Sequence, residues 1–177
     1  MGFIDLFKGK EVVPLSEEQY KALLEGASGR KERAALLLGL NSGIGIDELL
    51  GLRWGDIDFK GRAITIAGKN SSRAIYLPGV VLRELEGIRN GQADGTYVFG
   101  MDKRTWLARL ASYRGRLGIP DLSWSKVRHT YAFFAAQRGE PDYIVARNIG
   151  VSISAVLKYY KASPDKLRAL ADERVLE

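Results

Sequence analysis

Between Trp54 and Pro78 the apolar pattern of this chain changes from a period of about 3.6 residues to about 2, and then changes back. DIDF, GRAITIAG and RAIYLP alternate or run β-branched, with KG and KNSS between them as turns. A strand-period segment does not settle into a helix, so this interval has to form its own small sheet. Turns this short join antiparallel neighbours, because a parallel pair needs a long crossover. Everything around the interval reads as helix. Ser16 opens SEEQ, a capping-box pattern, and the helix that follows places Tyr20, Leu23 and Leu24 on one face. Residues 30–41 are rich in Ala and Leu and should be largely buried. NSGIG is a glycine turn, and IDELLGLRW reads as a short helix with Leu49, Leu50 and Leu52 inward. Past the sheet, PGVVLRELEGIRNG returns to helix with Pro78 in its first turn, and GQADGTYVFG is a loop with a short extended piece.

From residue 102 onward the chain reads as a succession of helices: DKRTWLARLASYRGRLGI, SWSKVRHTYAFFAAQRG, EPDYIVARNIG, SISAVLKYY and SPDKLRALADE. Each break carries Gly, Pro or Ser. The expected fold class is therefore α+β: a mostly helical domain with a small antiparallel sheet of about three strands. We expect a tether over 1–15, a single domain over 16–177, and no separate N-terminal domain.

Composition removes several kinds of chemistry. The chain has no cysteine, which excludes disulfides, thiol catalysis and Cys-type metal sites and fits a reducing cytoplasm. Its single histidine, His129, excludes a His-rich metal site. No apolar run approaches the roughly 20 residues that cross a bilayer, so no membrane partner is expected. The formal net charge is +6, and all of it lies in the C-terminal half. Residues 1–99 carry 13 Lys/Arg against 13 Asp/Glu, and residues 101–177 carry 14 against 8. A basic half on a globular domain points to a polyanion.

Three segments, in this order, resemble the catalytic domain of the tyrosine recombinase (phage integrase) family. They are SGIGIDELLGLRWGDIDF, then GKNSSRAIYLP, then SKVRHT followed by IGV and AVLKYY. The resemblance spans roughly residues 16–170. It implies that family's helical fold with a small sheet. It also implies a tyrosine that attacks a DNA phosphodiester, two arginines that clamp the non-bridging oxygens, and a lysine or histidine that protonates the leaving 5′ oxygen, with no metal or other cofactor.

Carried over residue by residue, Arg128 matches the second clamp arginine and Lys69 the hairpin lysine. Glu48 matches the acid that follows the first arginine, a position the helix dipole would also favour. Either Tyr159 or Tyr160 falls at the nucleophile, with Tyr159 preferred. Arg73, Ser125, Lys126 and Lys158 are the expected DNA contacts, and His129 is expected to pack. Three positions depart from the pattern: Gly45 stands where the first arginine would be, Ser125 where a histidine would be, and Val151 where a histidine or tryptophan would be. Whether Arg53 or Arg30 fills the gap at Gly45 is open at this point. The resulting expectation is a DNA-binding relative, cytoplasmic and nucleoid-associated, with lost or severely weakened strand transfer. The alternatives are an active recombinase and a protein-interaction domain. Duplex DNA is the expected partner, with self-association through the C-terminal segment.

Overall fold

A computed structural model describes residues 13–68 and 72–160. Lys69 at the hairpin tip and the segment SPDKLRALADE lie outside the described residues. Helices α1 (Glu17–Glu25), α2 (Arg30–Ser42) and α3 (Ile46–Gly51) lead into a short 3₁₀ turn over Trp54–Asp56. The sheet follows as β1 (Ile57–Asp58), β2 (Ala63–Ala67) and β3 (Ser72–Tyr76), antiparallel in that order. Ile57 opposes Ile64, and Ile64 in turn opposes Ile75, so one face of the sheet carries isoleucines into the core. Helices α4 (Gly79–Glu86), α5 (Lys103–Leu117), α6 (Trp124–Gln137), α7 (Asp142–Ile149) and α8 (Ile153–Val156) complete the domain, with a 3₁₀ turn over Leu157–Tyr160.

The α+β expectation is met by this element order, and the SEEQ capping box forms with both reciprocal bonds. Two local expectations shift. Pro78 is the N-cap of α4, in extended backbone, rather than a first-turn residue. Leu15, read as the end of a tether, is buried, and its amide donates to the Thr130 hydroxyl at 2.9 Å. A hydrophobic side chain next to a helix start gains more by burial than a free tether would allow.

Helices α2 and α6 form the spine. Leu36 and Leu38 are wholly buried, and Gly39 lies beneath Trp124. A Cβ at Gly39 would come within 2.5 Å of the Trp124 ring, so only glycine lets the two helices approach this closely. The Trp124 indole then donates to the Ile44 carbonyl at 2.9 Å and pins the loop after α2. A second, smaller apolar cluster of Tyr131, Ala132, Ala135, Val145, Ala146, Ile149 and Val156 joins α6, α7 and α8.

Two glycine substitutions should therefore have opposite signs. Gly39→Val is expected to cost about 1–3 kcal/mol by overpacking against Trp124. Gly115→Ala, in α5 with open space around it, should stabilise by about 0.5–1 kcal/mol. Urea denaturation of both variants checks this; equal shifts would refute the close-approach role of Gly39.

Candidate DNA-phosphate site

The ends of helices leave carbonyls without intrahelical partners. Helix α2 ends in Gly43 and α7 in Gly150, both in left-handed backbone, and their last carbonyls converge on the middle of α6. Arg128 fills the space between them. It is 5% exposed, donates Nε to the Gly43 carbonyl at 2.9 Å, and donates Nη2 to the Ile149 carbonyl at 2.6 Å. Two helix C-termini facing one cation are a favourable arrangement for their dipoles. Burial pushes the guanidinium below its ordinary range, Glu48 and Tyr159 oppose that shift, and Arg73 adds to it. An arginine starts high enough to remain charged at neutral pH.

Arg73 reaches the same place from β3. It precedes Ile75 by two residues and so shares the inward side of the strand. Its Nη1 and Nη2 meet the Glu48 carboxylate at 2.8 and 2.9 Å, and Nη2 also donates to the Asn148 carbonyl at 3.3 Å. That carbonyl immediately precedes the one Arg128 uses. Glu48 in turn accepts from the Gly45 amide at 2.8 Å, closing the N-terminus of α3. Gly45 has an ordinary φ of −67°, so its backbone does not demand glycine. Arg53 and Arg30 are elsewhere: Arg53 donates to the Gly95 carbonyl and stacks on Tyr97, and the Arg30 guanidinium lies beside Gly87.

The two tyrosines are separated by the 3₁₀ turn they share, where successive side chains diverge by about 120°. The Tyr159 hydroxyl shares a hydrogen bond with His129 Nδ1. Burial raises its phenol well above the ordinary range, and Arg128 pulls it the other way. Tyr160 donates to the Glu140 carbonyl at 2.7 Å; burial raises it, and Glu140 and Asp142 add to the rise. His129 is buried as expected of a packing residue, but its contact with Tyr159 was not anticipated. Adjacency to Arg128 was the one available signal, and adjacent helical residues face different ways, so it gave no direction.

The remaining positions divide. Ser125 is half-buried one turn before Arg128. Lys158 is exposed, its ammonium 5.1 Å from the centre of the Tyr159 ring, and burial holds its pKa below the ordinary value. Val151 packs on the smaller apolar cluster and offers no proton-transferring group. Lys126 corrects an expectation: it is 4% exposed and its ammonium meets Asp121 at 2.7 Å, so its charge is engaged within the domain instead of facing outward.

A mostly helical domain with a three-stranded antiparallel sheet is the architecture of tyrosine recombinase catalytic domains. Residues 14–166 match the model of the phage integrase family, and the chain belongs to that family. A tyrosine recombinase XerD-like protein of Streptococcus thermophilus is 30% identical over 166 residues, covering 89% of this chain and 65% of that protein. Tyrosine recombinase XerA of Pyrococcus furiosus is 26% identical over 169 residues, covering 87% of this chain and 59% of that protein. The chain thus spans less than two thirds of either relative. The crystal structure of XerA recombinase shares the fold with a TM-score of 0.74 at 21% identity, over 96% of this chain and 68% of that one. The catalytic domain of bacteriophage HP1 integrase does so with a TM-score of 0.72 at 15% identity, over 93% and 96% respectively.

The Lys126–Asp121 pair yields a pH-dependent prediction. The hydrogen bond from Lys126 holds the Asp121 carboxyl below its usual range, against an opposing contribution from burial. A carboxyl lowered on folding contributes stability above its unfolded value of about 3.9 and loses it as pH falls. The Asp121 side chain is largely exposed, so solvent screens the pair, and Asp121→Asn should cost only about 0.5–1 kcal/mol at pH 7. The deficit should shrink once the pH falls below that unfolded value. Urea denaturation at neutral and acid pH measures it, and a deficit that is the same at both would rule out the charge pairing as the cause.

Proposed function

We propose that this chain binds duplex DNA through the surface around Arg128 and that its own strand-transfer chemistry is lost or severely weakened. The observation that carries this reading is the charge at the pocket. Arg128 makes no ion pair among the described residues, the nearby Glu48 carboxylate is engaged by Arg73, and position 45 supplies no cation. Phosphoryl transfer gathers negative charge on the non-bridging oxygens, and removing one donor from such a clamp typically costs about 10²–10³ in rate. Ser125 can donate a hydrogen bond but carries no charge, and Val151 can do neither. In this reading Lys69 is the remaining candidate to protonate the leaving oxygen, and Ser125 and Lys158 lie along the DNA backbone. Structures of XerH recombinase and of the Tn1549 transposon integrase that share this fold hold DNA, which supports duplex DNA as the partner and a nucleoid location.

A second reading, an active enzyme, is favoured by one contact: the Tyr159 hydroxyl lies against His129 within the field of Arg128. There the phenol oxygen would attack phosphorus, forming a 3′-phosphotyrosyl bond as the 5′ oxygen leaves and takes up a proton.

Incubation with a nicked suicide duplex separates the two. The expected outcome is salt-sensitive binding with no covalent protein–DNA band on a denaturing gel. An adduct that survives Tyr160→Phe and disappears in Tyr159→Phe would establish the active reading instead. Absence of duplex binding even at low salt would favour the interaction-domain alternative.

A further inference from the structure

We propose that Arg73 is the second phosphate-binding guanidinium of this pocket, delivered from strand β3 in place of the arginine that position 45 lacks; this rests on the DNA-binding reading above. Three observations converge on it. Arg73 and Arg128 donate to successive carbonyls at the end of α7, Asn148 and Ile149, so their guanidinium groups are neighbours. Each cation lies within the electrostatic reach of the other, and among the described residues Glu48 is the one carboxylate acting on both, which leaves that cluster with an excess positive charge. Like charges brought together inside a domain are costly unless an anion joins them.

The second observation is space. A Cβ at Gly150 would lie 3.1–3.3 Å from three atoms of the Arg73 guanidinium, and the φ of +78° there independently favours glycine. A Cβ at Gly45 would lie 3.1 Å from the Glu48 carboxylate that Arg73 grips. An arginine rooted at position 45 would compete for that same carboxylate, so the bare position and the placement of Arg73 are complementary. The third observation is a leftover donor: Arg73 Nε is buried without a hydrogen-bond partner among the described residues. Such an orphan in an otherwise engaged guanidinium calls for an acceptor. Glu48 is then a positioning residue. It holds Arg73 against the phosphate site while neutralising part of its charge, which separates retained phosphate contact from the charge that fast chemistry requires.

Duplex binding measured across a salt series tests this. Each phosphate contact contributes about 0.9 to the slope of log K against log salt. Because Glu48 offsets part of its charge, Arg73→Gln should flatten the wild-type slope by less than about 0.9, and adding Gly45→Arg to Arg73→Gln should restore it. Glu48→Gln keeps an acceptor for the Gly45 amide but releases Arg73, and should tighten binding and steepen the slope. A wild-type slope in a folded Arg73→Gln variant overturns the proposal. Should that variant melt before it can be measured, the Glu48→Gln slope decides alone: steeper supports the proposal and unchanged overturns it. Wild-type protein that binds no duplex at low salt would fail the DNA-binding reading itself, an outcome distinct from tight binding that is indifferent to Arg73.

Discussion

The burial of one guanidinium organises this domain. Arg128 lies where three helices meet, and its charge is tolerated there because two helix ends present their terminal carbonyls to it. The same contacts tie α2 and α7 to α6, so the group that faces a phosphate in the proposed function also joins the helices around it. Removing it would take away the positive charge and the donor that each of the two carbonyls uses. In the proposed function, phosphate-binding and structural demands therefore fall on the same side chain, and a loss of strand transfer would leave the structural demand in force.

Glycines make that meeting possible. Gly39 admits Trp124, and Gly43 turns the chain in left-handed backbone against Tyr131 and Ile149 while offering its carbonyl to Arg128. Gly150 performs the matching turn at α7 and leaves room for Arg73. Gly45 differs from these. Its backbone is ordinary, so the fold does not need a glycine there, and in the proposed function the bare position withholds a cation from the pocket.

Much of the fold could be read from residue patterns. The change of period located the sheet, and SEEQ marked a helix start to the residue, because both signals are local. Short motifs likewise singled out Arg128 and the tyrosine pair as candidates, and the structure brings Arg128 and Tyr159 within electrostatic reach of each other. The environment of each side chain was not. Lys126 and Arg128 belong to the same hexapeptide, yet Lys126 meets Asp121 and Arg128 meets two helix ends. The inward direction of Arg73 could have been inferred from its place two residues before Ile75, although alternation alone does not say what waits on that side.

By itself, then, the sequence determined the element order, the basic C-terminal half, and the absence of an arginine, a histidine and an aromatic donor at positions 45, 125 and 151. These follow from composition and short-range periodicity, which need no partner from elsewhere in the chain. Tertiary structure alone decided that Tyr159 meets His129 while Tyr160 meets Glu140, and that Arg73 rather than Arg53 or Arg30 joins Glu48. Those choices link residues 20 to 30 positions apart through the packing of β3, α6 and α7. Which side chain reaches a shared point depends on how those elements stack, and one-dimensional spacing carries no record of that.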